Sequence, residues 1–182
     1  MKQISKFFIG TVLTTATIGA ASANPVIDVY AGGMFGAGGA VAYMDHHHKN
    51  DAAQSFGAIF GIDIPLIRVE AEYNHLTNDS FSTNDAMLNA YFKMLSTMIH
   101  PYIGVGVGSV FGGHVSENNV NYDIKSTVAY QGMLGLTFDI LALPLKFDVE
   151  GRALYAPNFA EIGNSKPDFL QYDARLKLRY IF

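Results

Sequence analysis

The sequence predicts an all-β fold, an eight-stranded antiparallel up-and-down transmembrane β-barrel, from three observations. Its 182 residues hold eight stretches in which apolar and polar side chains alternate with period two, the period of a strand and not of a helix. Long polar links and short links, the latter carrying Pro65, Pro101 and Pro144, take turns between those stretches, as tight turns on one side of a membrane and longer loops on the other require. The last stretch puts Tyr172, Ala174, Leu176, Leu178, Tyr180 and Phe182 on one face and Gln171, Asp173, Arg175, Lys177 and Arg179 on the other. One face suits lipid and the other suits water.

Taken in order, the strands are expected at 26–44, 54–62, 67–76, 86–95, 101–111, 125–138, 145–155 and 170–182. The first carries Asp28 near its start. In the third, Arg68, Glu70 and Glu72 oppose Ile67, Val69, Ala71 and Tyr73, and the fourth carries Lys93 near its end. In the fifth, Ile103, Val105 and Val107 alternate with Gly104, Gly106 and Gly108, which places the glycines on the inner face, where a small barrel has least room. The sixth sets Val128, Tyr130, Leu134, Leu136 and Phe138 against Thr127, Gln131 and Thr137. The seventh sets Phe147, Val149, Ala153 and Tyr155 against Lys146, Asp148, Glu150 and Arg152. Outer loops are expected at 45–53, 77–85, 112–124 and 156–169, and short inner turns at 63–66, 96–101 and 139–144.

The N-terminus reads as an export leader. Lys2 and Lys6 precede an apolar run from Phe7 to Ile18, and Ala21-Ser22-Ala23 has the small-x-small form of a cleavage site. The expected organisation is therefore a signal peptide at 1–23 and one barrel domain at 24–182. Losing the leader removes two of twelve basic residues and none of the sixteen acidic ones, leaving a net charge of −6, which argues against a nucleic-acid partner. Cysteine is absent, so disulfides and thiolate metal sites are excluded. After the leader no apolar run approaches the roughly 18 residues of a membrane helix.

Alternation alone does not say which face looks inward, and a soluble periplasmic barrel of lipocalin type gives the same period. The charges decide for the membrane. The polar faces together hold Arg68, Lys93, Lys146, Arg152, Arg175, Lys177 and Arg179 against Asp28, Glu70, Glu72, Asp148, Glu150 and Asp173. Seven against six suits mutual pairing in an interior only wide enough for side chains, where an unpaired charge costs several kcal/mol. Aromatic residues at strand ends, Tyr43, Tyr73, Tyr155 and Phe182, fit the girdles of a bilayer interface. Closure also satisfies the backbone in lipid.

Four stretches now carry a resemblance: Pro101-Tyr-Ile-Gly-Val-Gly-Val-Gly108, Ala129-Tyr-Gln-Gly132, Val149-Glu-Gly-Arg152 with Tyr155, and the closing Arg179-Tyr-Ile-Phe182. In this order the chain resembles the eight-stranded outer-membrane barrel superfamily, that is, the OmpA-like transmembrane domain, the opacity-type porins and the surface antigens of intracellular bacteria. The resemblance implies a non-enzymatic protein of the bacterial outer membrane, with lipid, lipopolysaccharide and the barrel assembly machinery as partners. It also implies that Tyr180 and Phe182 form an assembly signal, and that the loops meet host or environmental surface molecules.

Other candidates read more plainly. His46, His47 and His48 with Asp45 and Asp51 are possible metal ligands, but adjacent histidines on a loop lack fixed geometry, so neither metal nor cofactor is expected. His114 and Ser116 resemble the His-x-Ser pair of outer-membrane lipid A deacylases, with no acidic partner to complete them. The loops carry net negative charge, with Asp79, Asp85, Glu117, Asp123, Glu161 and Asp168 among their acids. The leading expectation is a monomeric, non-enzymatic barrel serving envelope structure and surface interaction through four loops. The alternatives are a narrow pore, a deacylase-like enzyme and the soluble periplasmic barrel.

Overall fold

The computed structural model describes residues 27–44, 47–77, 81–95, 98–117, 120–123, 126–140, 143–157 and 168–182. Side chains are described for these except at 40–44, 47–51, 81, 113–117 and 120–123. The leader and its cleavage site lie outside the described residues. Nine strands follow one another: β1 (Asp28–Met44), β2 (His47–Asp63), β3 (Ile67–Thr77), β4 (Phe81–Lys93), β5 (Ile99–Glu117), β6 (Val120–Asp123), β7 (Thr127–Ile140), β8 (Leu145–Ala156) and β9 (Asp168–Ile181).

Every pairing is antiparallel, each long strand joins its neighbours in sequence, and β1 pairs with β9 to close the ring. The short β6 adds no stave. Glu117 faces Val120 and Val110 faces Thr127 at one unbroken offset, so β6 continues β7 along β5. The barrel therefore has eight staves.

Its tilt follows from the register. Stepping across hydrogen-bonded pairs leads from Tyr30 through Gly61, Glu70, Asn89, Gly106, Gln131, Leu154 and Gln171 back to β1 at Ala40, ten residues further on. A shear of ten over eight staves at strand spacings of about 4.8 Å inclines the strands by roughly 40°. Each residue then advances about 2.5 Å along the barrel axis.

Backbone hydrogen bonds tie the described residues at the inner end. Ile64 donates its N–H to Ile67 O at 2.8 Å, and Lys93 donates to Leu66 O at 2.9 Å. Leu143 donates to Ile140 O at 3.2 Å, and Phe182 joins the first strand through Val29 O at 2.9 Å. The outer ends run further than the sequence pattern indicates. β2 already begins at His47 and β5 continues to Glu117, where loops were expected. Above the bilayer both faces of a hairpin meet water, so lipid-against-lumen alternation vanishes while the backbone ladder continues.

Side chains sort as the alternation predicts. Along β3 and β9 exposed and buried residues alternate almost without exception. Phe56, Phe60, Leu88, Ile103, Val105, Leu134, Leu176 and Leu178 look outward. The described staves thus place charge within and oil without. Inside, the lumen is layered. Near the outer end Ala53, Leu76, Met87, Val110, Ala129, Leu154, Ala156 and Phe169 form an apolar layer. Below it lie the ionised side chains together with Tyr30, Tyr91 and Tyr102. Three glycines make room for those rings: a Cβ at Gly61 would strike the Tyr30 ring, at Gly104 the Tyr91 ring and at Gly135 the Tyr102 ring.

Candidate functional site

The lumen is the most highly organised part of the described structure. β9 supplies its central ladder, because three consecutive inward positions are Arg175, Lys177 and Arg179, all fully buried. Arg175 donates from Nη1 to Glu72 of β3 at 2.5 Å and grips Glu150 of β8 through Nε, at 3.0 Å, and Nη2. Lys177 Nζ meets Glu70 at 2.8 Å, Glu150 at 3.2 Å and Tyr91 Oη at 3.1 Å. Arg179 holds Asp148 at 2.8 Å and reaches Asp63 at 3.2 Å. Arg152 on β8 pairs with Asp173 at 2.5 Å and lies 3.7 Å from Asp85.

Arg68 is held differently. Among the described residues it makes a single ion pair, to Asp148 at 3.1 Å. Its guanidinium lies 4.0 and 4.6 Å from the ring centroids of Tyr91 and Tyr102, which meet edge to face, and cation–π attraction in a desolvated setting contributes on the order of 2 kcal/mol. The same tyrosines act as donors at their tips: Tyr30 and Tyr91 donate to Glu70 at 2.7 and 2.9 Å, and Tyr102 donates to Glu150 at 3.0 Å. Burial of this much charge is tolerable only when pairing is close to complete, and here each carboxylate of the central layer has two or more donors.

All thirteen residues expected in the network face inward. Asp28 and Lys146 stand at its inner rim, with side chains 27% and 23% exposed, linked at 3.7 Å. The sequence reading missed two members. Asp63, assigned to a turn, is buried against Lys93 and Arg179. Asp85, assigned to an outer loop, is buried beside Asn74, whose Nδ2 donates to it at 3.0 Å. Both follow the inward parity of their strands, and they turn the balance of the set from seven against six to seven bases against eight acids. Lumen tyrosines were also missed, since tyrosine on a barrel strand is read by default as interfacial.

At the inner end the network opens into a cavity of about 180 Å³ lined by Asp28, Asp63, Lys93, His100, Asp139 and Lys146. His100 Nε2 lies 3.1 Å from Asp139 Oδ2. Among the described residues no cluster of histidines and acids has the form of a metal site. His46 lies outside the described residues, as do the side chains of His47, His48, His114 and Ser116. The backbone of His114 pairs with Ser82 and Asp123. Tyr180 and Phe182 face outward at the inner rim, their rings 5.3 Å apart.

Comparison with known proteins places this architecture. Residues 40–143 match the surface antigen family. Among solved structures, Neisserial surface protein A superposes with a TM-score of 0.62 at 14% identity, covering 85% of this chain and 97% of that one. The N-terminal β-barrel domain of Pseudomonas aeruginosa OprF does so with a TM-score of 0.57 at 11% identity, covering 83% and 97%. At such identities the likeness is one of fold. Among curated protein sequences none matches.

Proposed function

Because the chain belongs to the surface antigen family, and is a surface-exposed barrel of the bacterial outer membrane, we propose that it acts as a monomeric interaction protein whose outer loops contact molecules beyond the cell. The observation that carries this reading is the filled lumen. Ion pairs and an apolar layer occupy the cross-section, and most ionised groups of the lumen are paired with one another. The outer end is the part of the barrel that faces away from the cell. There β5 runs for 19 residues, roughly 45 Å along the axis, against an apolar band of about 25 Å. Loops on a rigid scaffold are where recognition is commonly built.

The ligand class follows from charge: an acidic loop set favours cationic or neutral hydrogen-bonding surfaces. The test replaces 158–167, 118–119 with their flanks, and the other two outer loops by Gly-Ser chains of equal length. Surface display is confirmed by protease shaving of whole cells, and attachment to host-cell and abiotic surfaces is compared. Loss of attachment with at least one replacement supports the reading. Four displayed variants that all attach like the parent overturn it and leave the envelope-structure role alone.

A further inference from the structure

The exterior carries a hydrogen-bonded patch on β3 and β4 that neither the bilayer nor the loops require. On β3 the residues Glu70, Glu72 and Asn74 face the lumen, so Tyr73 and His75 face outward. On β4 Thr83 and Asp85 face in, so Ser82 and Asn84 face out. Phe56 packs beside His75 at 5.0 Å between ring centroids, and Phe111 beside Tyr73 at 6.4 Å. His75 stands eight residues along β3 from Ile67, about 20 Å up the axis, near the outer edge of an apolar band of about 25 Å. The ester linkages of outer-leaflet lipids lie at that depth.

The hydrogen bonds of the patch run in one direction. Asn84 Nδ2 donates to Gly112 O at 2.9 Å, which fixes the orientation of the amide. Its Oδ1 therefore accepts, from Tyr73 Oη at 3.1 Å and from His75 Nδ1 at 2.8 Å. A carbonyl oxygen cannot donate, so Nδ1 carries the imidazole proton and Nε2 keeps a lone pair. Ser82 Oγ lies 3.4 Å from Nε2. Hydroxyl, imidazole and orienting amide thus stand in the order of an activated nucleophile, its base and the group that sets the tautomer.

One backbone irregularity adjoins them. The β4–β5 register slips between Ser82 and Asn84, and Gly112 adopts a φ of 56°, a left-handed value that suits glycine. A glycine bulge of this kind leaves one residue outside the regular ladder.

We propose that Ser82, His75 and Asn84 form a serine hydrolase site on the outside of the barrel, acting on carboxylic esters of outer-leaflet lipids. Ser82 Oγ attacks the ester carbonyl as His75 Nε2 takes its proton. The carbonyl–oxygen bond to the alcohol breaks and the leaving alcohol takes that proton. Water, deprotonated by His75, then releases the fatty acid and restores Ser82. Phe56 and Phe111 flank the acyl chain. This chemistry uses neither His114 nor Ser116, and it goes beyond the interaction role, which needs no catalysis; the two stand or fall separately.

The test uses the full mature chain refolded in detergent micelles, with p-nitrophenyl decanoate as the probe ester and heat-modifiable gel migration as the check of folding. The parent is expected to release p-nitrophenol, and Ser82→Ala and His75→Gln to lose at least about a hundredfold. Tyr130→Phe, on another face of the wall, is expected to keep the parental rate. Treatment with a fluorophosphonate should add one phosphonyl group to the parent, mapped to Ser82 by peptide mass spectrometry. That mapping decides the matter even where a variant fails to fold. A folded Ser82→Ala protein within twofold of the parent, a phosphonyl group on another residue, or a parent with neither turnover nor adduct overturns the proposal.

Discussion

Arg175 and Glu72 stand on strands three places apart in the ring, yet Nη1 of the first lies 2.5 Å from Oε1 of the second. The contact spans the lumen, while Nε and Nη2 of the same guanidinium hold Glu150 on the adjacent strand. Arg175 thus ties together strands that share no backbone hydrogen bonds.

Replacing Arg175 with methionine should test that tie. The substitution keeps much of the side-chain length and leaves Glu72 and Glu150 buried with a cation fewer, a loss of about 3–5 kcal/mol. The urea midpoint for unfolding from micelles, followed by gel migration, should fall accordingly. Adding Glu72→Gln and Glu150→Gln removes the stranded charge, and the triple variant should recover most of the loss. A single variant within 1 kcal/mol of the parent would mean that neighbouring lysine and arginine groups already suffice.

Two glycines, Gly104 facing the lumen and Gly132 facing outward, give a paired prediction. A Cβ at Gly104 would press into the Tyr91 ring, whereas a Cβ at Gly132 meets nothing within 4 Å. Gly104→Ala should therefore cost about 1–3 kcal/mol through overpacking, and Gly132→Ala should lie within about 0.5 kcal/mol of the parent. Both are read from the same urea titration, and equal effects would contradict the close fit between Gly104 and Tyr91. Shortening the tyrosine in Gly104→Ala/Tyr91→Leu is expected to relieve the steric part only, because Glu70 and Lys177 lose a partner.

What the sequence made legible follows the strength of the contrast between faces. On β3, β8 and β9 ionised residues alternate with aliphatic ones, and parity alone located eleven inward charges there. Asp63 and Asp85 escaped because each lies where a strand nears its end, so proximity to a turn outweighed parity. The outer reaches of β2 and β5 escaped for another reason: residues His47 to Asp51 are polar on both faces, so no period survives. Ser82 and Asn84 fell inside an expected loop, and His75 near the end of the third expected strand was not singled out. Only the pairing of β3 with β4, Asn84 opposite His75, brings the three together.

Occlusion of the lumen makes a prediction for conductance. The apolar layer of Leu76, Met87, Val110, Leu154 and Phe169 lies above the ion pairs of Arg152, Arg175, Lys177 and Arg179, so an ion would have to displace both. Protein inserted in a planar bilayer should record at lipid background. Trimming Leu154 and Phe169 to alanine removes the upper layer alone and should stay silent, since the charged layer still fills the cross-section. Steady current steps from the parent would reinstate the narrow-pore alternative.

The last strand offers a way to separate assembly from stability. Phe182 is 57% exposed, touches Tyr180 ring to ring, and contributes one backbone hydrogen bond, to Val29 O at 2.9 Å. Since Phe182→Ala keeps that hydrogen bond and buries no new cavity, its cost to the folded barrel should stay below about 1 kcal/mol. If the exposed rings of Tyr180 and Phe182 are instead read by the assembly machinery, the same change should deplete the protein from the outer-membrane fraction several-fold in cells. The expected pair of results is therefore a near-parental urea midpoint after refolding in vitro and a marked loss in vivo. A parallel fall in both would assign Phe182 a packing role, and no fall in either would remove these two residues from the assembly signal.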